Sequence, residues 1–299
     1  MKFYHTENNF LGIEKPELYE YKTSKVVIQS APYEHTSSYL QGSAKGPEAV
    51  IEASHYVEFY DEETDSEAFA DLGICTLEAY NFDSIVNQEA MDYLYSQTKV
   101  HVDNNKFVVT IGAEHTVSSA LVKAHLQKYT NLKVLQIDAH SDLRMAYQGN
   151  PFSHASVMAR VVEMNVPLTQ VGIRAQCKEE AEWIKQNPNI HTFYAHQVHN
   201  NPNWIEEVVK TLGNDPVYVT IDADGFDPSV MPAVGTAEPN GLSWNQGTSL
   251  LKLVSEKCNV VGFDIVELAP KEGEILTQFN CAKLLYKFLC YLNANKQIQ

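Results

Sequence analysis

Apolar positions along this chain follow two alternating patterns. Short continuous runs rich in Val, Ile and Leu mark strands buried on both faces, and they occur at 24–31 (SKVVIQSA), 106–111 (KFVVTI), 134–137 (VLQI), 169–173, 190–194, 217–221 and 260–265. Residues 72–77 predict a further, weaker strand. Between these runs, apolar residues recur at helical spacing over 47–55, 84–98, 117–129, 154–163, 178–186, 203–212, 246–256 and 277–292. Pro47 falls in the first turn of its helix, where its missing amide hydrogen costs nothing. Strands alternating with helices predict an α/β fold, a mainly parallel eight-stranded sheet with helices on both faces, and a site at the carboxyl ends of the strands. Residues 1–23 show no periodicity and are expected to form an amino-terminal arm over the domain or against a neighbouring subunit. No repeat or Pro/Ser-rich linker divides the 299 residues, so one domain, 1–299, is expected.

Charge narrows the partners. Lys and Arg total 22 against 38 Asp and Glu, a net charge of -16 that repels nucleic acid and anionic membrane surfaces and favours a cationic ligand, besides promoting solubility. No stretch approaches the roughly 18 consecutive apolar residues of a membrane span. The opening MKFYHTENNFLGIEKPELYEY lacks the basic segment and apolar core of a secretory signal, so a cytoplasmic location is expected. Cys75, Cys177, Cys258, Cys281 and Cys290 are scattered, without a CxxC pair, and suggest neither a disulfide framework nor a zinc–thiolate site.

The chemistry concentrates at three strand ends. Val134–Asp142 (VLQIDAHSD) runs from a buried-type strand into Asp138, His140 and Asp142. Residues two apart on a strand share a face, so an extended chain past Ile137 would converge all three on one spot. Val217–Asp227 (VYVTIDADGFD) repeats the arrangement with Asp222, Asp224 and Asp227, and GAEH (Gly112–His115) puts His115 beyond a third strand. Carboxylates crowded in this way repel one another unless cations neutralise them. Asp138, Asp142, Asp222 and Asp224 bring four negative charges, matching two divalent ions, with His115 and His140 neutral. Oxygen and imidazole donors without thiolate suit manganese, and also admit zinc, nickel or iron. Two such ions lower the pKa of bound water toward 7 and generate a hydroxide nucleophile, which points to a hydrolase.

The set GAEH, DAHSD (Asp138–Asp142), SHAS (Ser153–Ser156), TIDADGFDP (Thr220–Pro228) and GTAEPNGLS (Gly235–Ser243) resembles the ureohydrolase family of arginase, agmatinase, guanidinobutyrase and formimidoylglutamase. The resemblance runs from about residue 25 to the last helix. It implies the three-layer αβα arginase-like fold and two manganese ions, one on His115, Asp138, Asp142 and Asp222, the other on His140, Asp138, Asp222 and Asp224. Asp138 and Asp222 would bridge, and Asp227 would hold a ligand or turn in place. It further implies that His154 shuttles protons or binds substrate, that Glu267 in DIVELAP grips a guanidinium, and that the protein forms homo-oligomers, trimers or hexamers. Two departures stand out: GAEH replaces the usual GGDH, and His154-Ala155 replaces His-Gly. Ala113 is therefore expected to tighten a turn that normally uses glycine.

Substrate choice is expected in the loop after Asp142. Arginases carry an Asn-containing DIN segment there, whereas this chain reads LRMAYQGNPF (Leu143–Phe152). That loop, together with Thr36–Ser54 and Tyr60–Glu63, is more similar to agmatinases, whose substrate is a small guanidino dication without a carboxylate. Arg144 turned inward would instead suit an acidic substrate. The alternatives are another guanidino or amidino hydrolase or a non-catalytic metal-binding relative. A deacetylase-like enzyme using one zinc would not need both His115 and Asp142.

Overall fold

The computed structural model describes residues 2–298 and contains one eight-stranded sheet. Its strands are β1 (Val26–Ala31), β2 (Ile74–Thr76), β3 (Phe107–Gly112), β4 (Lys133–Ile137), β5 (Leu168–Ile173), β6 (Ile190–Tyr194), β7 (Pro216–Asp222) and β8 (Asn259–Val266). They are ordered β2-β1-β3-β8-β7-β4-β5-β6, and every pairing is parallel. The mainly parallel sheet of the sequence pattern is thus wholly parallel. The central strands are buried on both faces, which is why they read as unbroken apolar runs rather than alternating ones.

Helices cover both faces. On one side lie α1 (Gly46–Ser54), α8 (Trp204–Leu212), α9 (Trp244–Lys257) and α10 (Leu276–Ala294), which pack Val50, Val208, Leu251 and Phe288 against Val109, Leu135 and Val219 of the sheet. On the other lie α3 (Asn87–Asp103), α4 (Ser118–Leu126), α5 (Val157–Glu163) and α6 (Lys178–Gln186), with Leu94, Leu121 and Met158 against Val134 and Tyr218. The result is the three-layer αβα architecture.

Sequence reading missed two short helices, α2 (Ala68–Leu72) and α7 (Ala195–Asn200). Neither is long enough to express a helical period in its sequence. The helix expected from His154 starts at Val157, because residues 154–156 form a tighter 3-10 turn. The amino-terminal segment packs onto its own chain. Phe3 bridges Leu77, the Phe10 amide donates to Thr76 Oγ1 at 2.9 Å, and Phe10, Leu11 and Ile13 are buried.

Candidate metal centre

Four neighbouring strands, β3, β8, β7 and β4, deliver the chemistry from their carboxyl ends. His115 opens the 3-10 turn that follows β3, and Asp138 is the first residue beyond β4. His140 remains extended through a parallel bridge to Ala175, so the two-residue alternation holds from Asp138 to His140. It does not reach Asp142. That residue has φ +53°, and a left-handed turn, not a strand face, carries its carboxylate to His115. The second cluster needs the same correction. Asp222 ends β7, but Asp224 lies in a 3-10 turn whose amide donates to Asp222 Oδ1 at 2.9 Å. The Asp224 turn meets the end of β4 backbone to backbone at Gly225, where a Cβ would stand 2.7 Å from the Asp138 nitrogen.

Two groups of side chains result, and both include Asp138. In the first, His115 Nδ1 lies 3.0 Å from Asp138 Oδ2, 3.1 Å from Asp142 Oδ2 and 3.3 Å from Asp222 Oδ2. In the second, His140 Nδ1 lies 3.1 Å from Asp224 Oδ2 and 3.7 Å from Asp138 Oδ1. The triads His115–Asp138–Asp142 and Asp138–His140–Asp224 each have the spacing to hold an ion. All six expected ligands are therefore brought together.

Hydrogen bonding behind the first triad fixes the tautomer of His115. Thr220 Oγ1 donates its one proton to Asp264 Oδ1 at 2.6 Å, so His115 Nε2, 2.9 Å away, must be the donor to Thr220. In the neutral ring Nδ1 is then bare, and it makes no hydrogen bond although buried; without a cation, burial disfavours charge on His115, but Asp138, Asp142 and Asp222 beside it outweigh burial and raise it well above the usual imidazole range. A lone pair aimed at three carboxylate oxygens is stable when a cation lies between them. The donor set, all oxygen and imidazole nitrogen, fits a hard or borderline divalent ion. On the other side, Gln136 Nε2 donates to Asp138 Oδ2.

Without cations the carboxylates oppose one another. Burial, followed by the charges of Asp224 and Asp138, raises Asp222 well above the usual carboxylate range. Burial and the charge of Asp138 push Asp142 up to about 7. Burial disfavours charge on His140, but Asp224 and Asp138 beside it reverse the balance and raise it. Divalent ions would displace these protons, because deprotonated carboxylates and neutral imidazoles are the ligating forms.

A pocket of about 160 Å³ opens onto both triads. His140, Asp142, Asp222, Asp224, His154, Glu267, Arg144 and Tyr147 are among the residues that line it. Glu267, just past β8, has φ +66°, a strained geometry for a non-glycine residue at the pocket. Its Oε1 accepts the His115 amide at 2.7 Å, and burial followed by nearby Glu114 and Asp224 pushes its carboxyl up to about 8. Burial, then the adjacent His140 and His115, lowers His154 to about 4. The Arg144 guanidinium lies 5.6 Å over the Tyr147 ring, whose edge meets His154. Ala113 is buried and lies outside the left-handed region, so the extra methyl strains no turn, contrary to the expectation from the motif.

Several contributors escaped the sequence reading. Thr220 and Asp264 had a usable signal, since each is a polar residue inside an otherwise apolar strand. Arg174 had none. It donates to the carbonyls of Gly172, Asp224, Gly225, Phe226, Glu238 and Pro239, tying the Asp224 turn to the 235–241 loop. Asp227 holds its turn as expected, accepting from Ser229, Asn240 and Gly241.

A wholly parallel αβα sheet whose carboxyl edge presents this cluster belongs to a recognisable class, the hydrolases of amidino C–N bonds. The chain is a member of the arginase family, whose family model matches residues 24–290; the family depends on a binuclear metal centre. An N(1)-aminopropylagmatine ureohydrolase of Synechocystis sp. is 39% identical over 298 residues, covering 96% of this chain and 97% of the relative. An agmatinase of Bacillus cereus is 34% identical over 258 residues, covering 84% and 85%. The crystal structure of an agmatine ureohydrolase of Thermoplasma volcanium superposes with a TM-score of 0.83 at 29% identity, covering 93% of this chain and 92% of that one.

Proposed function

We propose that this chain releases urea from the guanidino group of agmatine, leaving putrescine, with two manganese ions in the centre. The observation that carries the reading is the sharing of Asp138 between two ligand triads that open onto one pocket beside Glu267. His115, Asp138, Asp142 and Asp222 would hold one ion and His140, Asp138, Asp222 and Asp224 the other. Asp222 Oδ1 accepts the Asp224 amide, which orients this carboxylate between the two ligand sets. Bound there, the ions would supply a nucleophile at neutral pH and charge stabilisation at the reacting carbon.

The protein's own groups divide the remaining work. Glu267 would receive the guanidinium; the arriving cation favours its ionised form, reversing the upward push of burial. His154 is neutral at pH 7, so it enters as a base. It would take the proton released by the attacking water and pass it to the leaving amine nitrogen, which cannot depart readily as an amide anion.

A second reading shares the guanidino end and differs at the far end. The relative covering nearly the whole chain acts, by its name, on N(1)-aminopropylagmatine. Here Tyr39 and Leu40, 75% and 43% exposed, line the pocket, so its wall reaches the solvent where the far end of a longer amine would lie. The deciding experiment measures urea release from agmatine, N(1)-aminopropylagmatine, arginine and 4-guanidinobutyrate, and formamide release from formiminoglutamate, with manganese supplied or chelated. The kcat/KM ratio of the first two compounds separates the two readings. Turnover of arginine or an acidic substrate alone would overturn both and assign Arg144 a carboxylate.

A further inference from the structure

Glu114 occupies the position where the family pattern has aspartate, and it is fully buried beside the pocket. Its carboxylate accepts four hydrogen bonds. The amides of His35 and Thr36 donate to Oε2 at 2.9 and 2.7 Å, and the hydroxyls of Thr36 and Thr116 donate to Oε1 at 3.1 and 2.7 Å. The loop carrying Ser37, Ser38, Tyr39 and Leu40, all of which line the pocket, thus hangs from Glu114. Its other end is held by Glu34, which accepts the amides of Gly42 and Ala44.

Thr36 links this carboxylate to His154. A threonine hydroxyl has one proton and two lone pairs. The proton goes to Glu114, and the oxygen lies 3.0 Å from both the backbone nitrogen and Nδ1 of His154. With its proton committed, the hydroxyl can only accept, so His154 Nδ1 carries the hydrogen and Nε2 presents its lone pair. Ser38 Oγ, 3.3 Å from Nε2, is placed to donate to it.

We propose that Glu114 and Thr36 are positioning residues: together they lock His154 in the Nδ1–H tautomer and aim Nε2 into the pocket as a proton acceptor. This assignment rests on the hydrolase reading for its purpose, but not for its geometry. The reverse tautomer would leave a Thr36 lone pair facing the Glu114 carboxylate at 3.1 Å, with no proton between the two oxygens.

Two measurements test it. In steady-state urea release, Thr36→Val should lower kcat about 10- to 100-fold, with KM and bound metal unchanged, and Thr36→Ser should recover most of the loss. Independently of turnover, ring nitrogen-15 shifts of the zinc-loaded protein, with His154 assigned by difference against His154→Asn, should show a protonated Nδ1 that Thr36→Val abolishes. Wild-type kcat in Thr36→Val, or a protonated Nε2 on His154 in the unmutated protein, overturns the proposal. If no guanidino compound is hydrolysed, the functional reading falls, and the ring shifts alone decide the tautomer.

Discussion

Gln136 Nε2 donates to Asp138 Oδ2 at 2.7 Å, and this contact ends a ladder of side chains crossing three strands. Thr192 donates to Gln170, Gln170 to Gln136, and Gln136 to the one carboxylate common to both triads. The ladder orients Asp138 from within the sheet. Gln136→Met should therefore weaken metal binding about 10- to 100-fold with the fold retained, read by isothermal titration and circular dichroism. Unchanged affinity would show that the Asp138 backbone alone fixes its carboxylate.

His140 is the only imidazole near Asp224 in the second triad. His140→Ala should abolish metal-dependent turnover while the first triad still binds an ion. Metal content per chain and urea release, measured on the same preparation, check this. Full turnover would refute the assignment of His140 as a ligand.

Chelation should lower the melting temperature, because an ion that binds the folded chain and not the unfolded one stabilises by mass action. Scanning calorimetry with added manganese should show the midpoint rising with free ion concentration. A midpoint indifferent to the ion would exclude a preformed site.

How much of this was legible beforehand differs between fold and site. The strands were legible because burial on both faces leaves long apolar runs with no competing pattern. The ligands were legible because acids and histidines at strand ends are conspicuous in such runs. What stayed hidden was how they are aimed. The capped turn at Asp224 depends on its close approach to the end of β4 at Gly225, and the left-handed turn at Asp142 on the amides of Met158 and Ala159 that its carbonyl accepts; no local pattern encodes either. Arg174 was invisible because its partners are main-chain carbonyls, which any sequence supplies.

Arg174→Lys should consequently destabilise the protein despite keeping the charge. An ammonium cannot reproduce the planar fork that reaches six carbonyls, so a loss of about 2 kcal/mol is expected from denaturant midpoints. A change within error would mean that the two loops are held by Asp227 alone.

His101 and His125 should each contribute a loss of stability below pH 6.5, opposite in sign to the contributions of Asp142 and Glu267, whose raised pKa values favour the folded state in acid. Burial lowers His101 and His125 to about 4, against about 6.5 in an unfolded chain. Between these values the unfolded state binds more protons at each ring, so the stability each histidine contributes falls as pH drops from 6.5 toward 4, by at most about 3 kcal/mol per group. His101, held between Tyr21 and Tyr80, offers the cleaner variant. His101→Gln should flatten that slope in unfolding midpoints taken at pH 7, 5.5 and 4.5. An unaltered slope would mean that His101 does not contribute to it.

The strand order has a consequence for how the centre comes into being. His115 and Asp138 are close in sequence, yet β8 and β7 lie between their strands in the sheet. During synthesis both residues emerge early, and nothing sets the distance between them until the carboxyl-terminal half arrives and inserts. Such long-range pairing is slow, because chain closure precedes its reward. Metal therefore cannot seed the folding of the amino-terminal half. It can be captured only by a finished chain, so loading with metal reports that the last strand has found its place.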